Sequence, residues 1–181
     1  MVDIVRAKHV FKVVFLGEPA VGKTSIVAKH VMSSFKENYI PTLGANITSN
    51  DYVVDTYAVT LLIWDIAGQE IFSRVREKYY GGAKAAFVVF DVTRPETVNG
   101  ARKWVDDIKR FASSSMFFIA IGNKIDLQRK VSAEEGERFA KSINATYIET
   151  SARTGERVDE VFKAVTEALV NRLVKGAKAT P

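Results

Sequence analysis

The sequence predicts one α/β domain: a six-stranded, mainly parallel sheet with one antiparallel strand and helices on both faces. Three observations predict it. Short β-like runs alternate with helical patterns from Val10 to Lys175. Two of those runs, Ala85 to Val92 and Met116 to Gly122, are almost continuously apolar, as parallel strands covered on both faces must be. Finally, 181 residues with 47% hydrophobic side chains supply one well-buried core and fall short of two typical domains. The domain is expected over 10–175, with 1–9 as an N-terminal extension and 176–181 as a tail too short to fold.

The elements follow in order. Val10 to Leu16 reads as a strand, then a glycine-bearing turn, then a helix from about Gly22 to Met32. Thr48 to Val54 and Tyr57 to Trp64 alternate with period 2 and are separated too briefly for a crossover helix, so they predict a hairpin. Between the two apolar strands, Val98, Ala101, Trp104, Val105, Ile108 and Phe111 keep helical spacing and predict a crossover helix. Ser132 and Glu135 form a capping box that opens a helix to about Ile143, followed by a strand at Thr146 to Glu149. The last helix puts Val158, Val161, Phe162, Val165, Leu169 and Leu173 on one face. In an open sheet of this kind ligands sit at the C-terminal ends of the strands.

Composition narrows the chemistry. The 26 Lys and Arg against 21 Asp and Glu give a formal charge of +5, but these charges are scattered, which suits a solvated surface and argues against a nucleic-acid groove. There is no Cys, so disulfides, thiolate metal sites and lipidation of a Cys have no acceptor in this chain. No apolar run is long enough to cross a bilayer, and no export signal opens the sequence.

Gly17-Glu18-Pro19-Ala20-Val21-Gly22-Lys23-Thr24 matches the phosphate-binding pattern GxxxxGK[ST] between a predicted strand and helix, the context the motif needs. Backbone N–H groups of such a loop and of the helix start converge on phosphate oxygens where the helix dipole favours negative charge. Lys23 adds a point charge at the β and γ phosphates, Thr24 offers a hydroxyl to Mg²⁺, and Ser25 continues the run of N–H donors. The competing reading is a glycine turn beside an incidental surface Lys. The loop alone does not separate kinases, ATPases and GTPases.

Base recognition separates them. Asn123-Lys124-Ile125-Asp126 ends a predicted parallel strand and so emerges at the same sheet edge as the loop. The Asp126 carboxylate accepts two hydrogen bonds from guanine N1–H and the 2-amino group, which adenine cannot supply. A mismatch of that kind discriminates by roughly 10⁴-fold or more.

With these segments in place the chain resembles a Ras-superfamily GTPase, and within it the Rab family, over nearly its whole length. The resemblance implies the P-loop NTPase fold, GTP as substrate, GDP as product and Mg²⁺ as cofactor. Asp65-Ile66-Ala67-Gly68-Gln69-Glu70 resembles the DTAGQE segment, which implies that Asp65 holds Mg²⁺ through water, Gly68 N–H meets the γ-phosphate and Gln69 orients the attacking water. Gln69 and Lys23 are thus the implied catalytic residues. Tyr39-Ile40-Pro41-Thr42 resembles the first switch, implying a Thr42 hydroxyl on Mg²⁺ and its N–H on the γ-phosphate. Glu149-Thr150-Ser151-Ala152-Arg153 resembles the ETSAK base loop, implying that Ala152 N–H bonds guanine O6 with Ser151 and Arg153 beside it, while Phe35 packs edge-on to the base. Phe35 has a competing reading as a core aromatic.

The resemblance also implies a slow molecular switch in vesicle trafficking. Effectors, an exchange factor and a GTPase-activating protein would engage the switch segments and an exposed patch of Ile47, Trp64 and Tyr79, although Trp64 and Tyr79 also suit a core. Ile47 stands where Rab proteins usually carry Phe, Ile71 and Gly81 replace usual Arg residues, and Pro19 puts a residue without an N–H into the phosphate loop. The chain stops at Ala179-Thr180-Pro181 without the prenylated Cys of Rab tails. The expectation is therefore a cytoplasmic protein with no nucleic-acid partner and no lipid anchor in this chain, membrane-associated only through a removed lipidated tail or a recruiting partner. Two rivals remain: a module that binds GTP without hydrolysing it, and an ATP-dependent P-loop kinase.

Overall fold

The computed structural model describes residues 6–32, 42, 44–67, 78–111 and 116–178. Its strands are β1 (Arg6–Leu16), β2 (Ala45–Val54), β3 (Tyr57–Ile66), β4 (Ala83–Asp91), β5 (Phe117–Asn123) and β6 (Thr146–Thr150), and they form one sheet in the order β2-β3-β1-β4-β5-β6. Only β2 runs antiparallel, paired with β3 in a register that sets Ile47 against Trp64; the pairs β1–β3, β1–β4, β4–β5 and β5–β6 are parallel. The hairpin turn bends at Asp55, whose φ of 53° is the left-handed conformation that Asp tolerates better than most residues.

The helices α1 (Lys23–Met32) and α4 (Val158–Lys178) cover one face of the sheet, and α2 (Glu96–Lys109) and α3 (Ala133–Ser142) cover the other. Strand alternation divides the core accordingly. Phe15, Phe87, Ile119 and Ile121 point to the first layer with Ile26, Phe162 and Val165, whereas Val14, Val88, Phe90 and Ala120 point to the second with Trp104, Val105 and Phe139. Fully burying such aliphatic and aromatic side chains contributes about 1.5–3 kcal/mol each.

Several bounds differ from the sequence reading. β1 begins at Arg6 instead of Val10, and β2 at Ala45 instead of Thr48, because backbone pairing to β3 continues where the apolar alternation has faded. α2 stops at Lys109, so Phe111 falls beyond its apolar face and is 44% exposed, with its ring 6.2 Å from that of Tyr80. The Ser132–Glu135 capping box forms with both hydrogen bonds, opening α3 as expected. α4 runs through Gly176 to Lys178. No helix among the described residues is long and apolar enough to cross a membrane.

The fold positions the site by bringing strand ends together. β1 passes straight into the phosphate loop, β3 ends beside Asp65, β4 ends at Asp91, β5 at Asn123 and β6 at Thr150; Asp91 pairs with Asn123, and Asn123 with Thr150, across the sheet.

Candidate active site

The phosphate loop owes its shape to its carbonyls. Lys23 Nζ, 6% exposed, donates to Gly17 O at 2.7 Å and Glu18 O at 2.9 Å; Arg94 Nη2 donates to Pro19 O at 3.0 Å; and Asn123 Nδ2 donates to Val21 O at 2.8 Å. In a trans peptide the N–H points opposite to the C=O. Holding the carbonyls of Pro19 and Val21 from outside therefore aims the N–H groups of Ala20 and Gly22 the other way, as an anion-binding nest requires. Positive φ at Gly17 (140°), Ala20 (60°) and Gly22 (100°) bends the chain around that concavity. Two glycines are dictated by contact: a Cβ on Gly17 would lie 2.3 Å from Val89 O, and one on Gly22 would lie 2.2 Å from Asn123 Nδ2. Pro19 fits because the loop uses its carbonyl. Ser25 follows Thr24 in the first turn of α1, where N–H groups have no acceptor within the helix.

Thr24, Thr42 and Asp65, far apart in sequence, meet at the mouth of this loop. The two threonine hydroxyls are 2.8 Å apart, and Thr24 donates its single proton to Asp65 Oδ2, so Thr42 donates to Thr24. Asp65 is 1% exposed, and its Oδ1 is buried without a hydrogen-bond partner among the described residues. Burial pushes its carboxyl above the usual carboxylate range against the opposing effects of the Thr24 hydrogen bond and the Lys23 charge. An orphaned carboxylate oxygen beside two hydroxyls is an all-oxygen donor set, which suits a hard divalent cation that keeps water in its shell. These residues fit Mg²⁺.

The segments expected to read the base lie at the ends of β5 and β6. Asn123, 1% exposed, accepts at Oδ1 from Thr150 Oγ1 and from Ala152 N–H, each at 3.1 Å, while its amide holds Val21 O. It is a structural joint between the base loop and the phosphate loop, and the Ala152 N–H expected for guanine O6 already serves it. Asp126 Oδ1 accepts from Ser151 Oγ at 2.6 Å, and Arg153 Nη1 lies 4.0 Å from Asp126 Oδ2. Ser151 Oγ in turn accepts from Thr154 N–H, which fixes the turn. The base loop is braced by Glu149, where Arg129 docks with both Nη atoms at 3.0–3.1 Å and Tyr147 donates at 2.9 Å. Burial pushes the Glu149 carboxyl up, but these two donors outweigh it and hold it below its usual range.

The sequence reading missed Asp91. Its carboxylate, 1% exposed at the end of β4, accepts from Thr93 N–H and Thr93 Oγ1, from Arg94 Nε at 3.1 Å, and from Lys124 Nζ at 2.6 Å. Burial pushes this carboxyl up, yet the hydrogen bonds from Lys124 and Thr93 prevail and leave it below the usual range. Lys124 thus turns its ammonium to Asp91 from a backbone with φ of 73°. A signal was present: a lone carboxylate closing the apolar run Ala85 to Phe90 must find partners if it is buried. Glu18 was also overlooked. Its Oε1 accepts from Trp104 Nε1 at 3.3 Å, and the side chain packs on Gly100 so closely that a Cβ there would lie 2.4 Å from Glu18 Cγ.

Phe35, Gly68 and Gln69 lie outside the described residues, as do Ile71 and most of the first switch. Ile47, Trp64 and Tyr79 do come together: Ile47 is 51% exposed opposite Trp64 on the neighbouring strand, and the Trp64 and Tyr79 rings are 6.0 Å apart. The two aromatics are half-buried, neither core nor fully exposed, and Lys12 Nζ sits 3.7 Å from the Trp64 ring centre.

The Ras family model matches residues 12–171. The chain is 36% identical over 168 residues to Ras-related protein Rab-2B of Dictyostelium discoideum, covering 92% of this chain and 83% of that relative. Residues 12–171, matched by the Ras family model, include Gly17 to Thr24, Thr42, Asp65, Asn123 to Asp126 and Glu149 to Arg153. This chain belongs to the Ras family and is a Rab-like small GTPase, an enzyme that hydrolyses GTP.

Proposed function

We propose that the protein is a Mg²⁺-dependent GTP switch whose two states are distinguished by Thr42. The observation that carries this reading is the chain of contacts from Thr42 through Thr24 to Asp65 Oδ2, with Asp65 Oδ1 left without a partner among the described residues. Thr24 lies in the first turn of α1, whereas Thr42 belongs to the chain between α1 and β2, so a γ-phosphate that recruits Thr42 would order that segment and its loss would release it.

Mg²⁺ bound by Thr24 and Thr42, and through water by Asp65, would neutralise charge on the β and γ phosphates. Lys23, stretched beneath the loop onto Gly17 and Glu18 carbonyls, is pre-positioned to meet the same phosphates. The N–H groups of Ala20, Val21, Gly22, Lys23, Thr24 and Ser25 cradle them, and Gly68 N–H adds a contact to the γ-phosphate. Asp126 reads guanine N1–H and the 2-amino group. Asn123, Ser151, Ala152 and Arg153 form the rest of the base pocket, with Lys124 and Phe35 packing on the base. Gln69 orients the attacking water. The catalytic domain expected over 10–175 extends to Arg6 through β1 and to Lys178 through α4.

In this reading the ordered switch segments, with Ile47, Trp64 and Tyr79, form the surface for effectors, an exchange factor and a GTPase-activating protein. The Rab-like character supports a role in vesicle trafficking, in a cytoplasmic protein that reaches membranes only through a recruiting partner or a lipidated tail removed from this Cys-free chain.

The test is displacement of a fluorescent GDP analogue by GTP, GDP or ATP, with Mg²⁺ and with chelator. GTP and GDP should compete, ATP should fail by at least about 10⁴-fold, and chelation should speed nucleotide release. Equal competition by ATP, or release indifferent to Mg²⁺, would overturn the reading.

A further inference from the structure

We infer that Arg94 is a positioning residue for phosphate binding: from its anchor on Asp91 it fixes the Pro19–Ala20 peptide so that the Ala20 N–H faces the phosphates. The inference rests on the phosphate-loop reading above and extends it to a residue outside every motif.

The geometry is specific. Arg94 uses two edges of its guanidinium, Nε on Asp91 Oδ2 at 3.1 Å and Nη2 on Pro19 O at 3.0 Å. Asp91 is itself immobilised by Thr93 N–H, Thr93 Oγ1 and Lys124 Nζ. A planar fork with both ends engaged has little freedom, so the Pro19 carbonyl is held in one direction. Peptide planarity then aims the Ala20 N–H oppositely.

This position needs external support more than its neighbours do. Pro19 has no N–H, so the Glu18–Pro19 peptide offers the nest no donor, and Ala20 supplies the next one from a φ of 60° that a non-glycine residue adopts only at a cost. Arg94 compensates for that conformation from outside. The same Asp91 oxygen that receives Arg94 also receives Lys124, the second residue of the NKID segment, so one carboxylate anchors both the phosphate side and the base side of the site. The two branches predict different losses.

The experiment measures release of fluorescent GDP and the preference for GDP over IDP, which lacks the 2-amino group, in the full chain. Arg94→Ala removes the phosphate branch alone. It should speed GDP release about tenfold or more, the scale of a hydrogen bond to a charged group, while the GDP/IDP preference stays within twofold of wild type. Arg94→Lys keeps a cation near Asp91 but cannot span both acceptors, so it should behave like Arg94→Ala. Asp91→Asn should speed GDP release and also lower the GDP/IDP preference. In the double variant Asp91→Asn/Arg94→Ala, the Arg94 effect should shrink below the product of the two single effects.

The inference is overturned if Arg94→Ala releases GDP within twofold of wild type, if Arg94→Lys restores the wild-type rate, or if base preference falls in step with GDP release in both Arg94 variants, which would mark a merely structural role. A wild-type protein that fails to bind GDP would instead overturn the phosphate-loop reading before Arg94 is tested.

Discussion

The side-chain amide of Asn123 donates to the Val21 carbonyl at 2.8 Å, so the residue that closes β5 also holds the curvature of the Gly17–Thr24 loop. Its other end accepts from Thr150 Oγ1 and Ala152 N–H. Asn123→Ala leaves the Val21 carbonyl and both donors without this partner in a buried place, and each such loss costs about 1–3 kcal/mol. Urea denaturation of the nucleotide-free protein should show a destabilisation of at least about 2 kcal/mol, beside weaker nucleotide binding. Unchanged stability with lost binding would show that Asn123 contacts the base and does not join the loops.

Asp126→Asn should move affinity from GTP toward XTP, because one acceptor oxygen becomes a donor that mismatches guanine and suits a 2-oxo base. Ser151 still has an oxygen to donate to, so the turn survives. Direct competition between the two nucleotides measures the change. Retention of full GTP preference would remove Asp126 from the base site.

Thr24 and Thr42 share one contact yet should respond differently. Thr24→Asn deletes the hydroxyl bonded to Asp65 and needed with either nucleotide, so it should weaken the GTP complex strongly. Thr42→Ala should spare GDP affinity within about twofold while reducing GTP affinity by tenfold or more, the weight of one charge-assisted contact. Isothermal titration with GDP and a non-hydrolysable GTP analogue distinguishes them. Equal loss of both ligands in Thr42→Ala would refute its role as the sensor.

Much of this was legible in the sequence, for reasons that particular residues show. The spacing of Gly17, Gly22, Lys23 and Thr24 is legible because a phosphate nest tolerates few residue types, and the apolar runs of β4 and β5 are legible because both faces are covered. The convergence of Thr24, Thr42 and Asp65 followed from family resemblance and could not have come from spacing, since 18 and 41 residues separate the hydrogen-bonded partners. Arg94 was missed because its importance lies in the Pro19 carbonyl it holds, and a carbonyl leaves no trace in a sequence; Asp91 was missed because its cationic partners Arg94 and Lys124 are brought to it only by the fold. The end of α2 was misplaced because Phe111 continues the apolar period after the helix has closed.

The Arg129–Glu149 pair gives the base loop a pH dependence of definite sign. Glu149 has a depressed folded pKa against a reference of 4.5. It therefore contributes stability that is present at neutral pH and is lost as pH falls below about 4.5 through the folded value. Arg129→Ala should lower stability at pH 7 and flatten this acid limb, an effect of at most about 1 kcal/mol given the partial exposure of the pair. Thermal melts between pH 3 and pH 7 check it, and an acid limb unchanged in the variant would show that other carboxylates govern it.

Single-turnover hydrolysis of GTP by the purified protein alone tests the central claim most directly. Between Val31 and Thr42 the chain has Lys36 and no Arg, so it carries no arginine finger beside the first switch. With Mg²⁺, GTP should be cleaved at roughly 10⁻⁴ to 10⁻³ s⁻¹. ATP should not be cleaved, and Gln69→Leu should slow the reaction further while leaving nucleotide affinity nearly unchanged. Turnover of about one per second without a partner, cleavage of ATP at the same rate, or no cleavage of GTP at all would contradict the account.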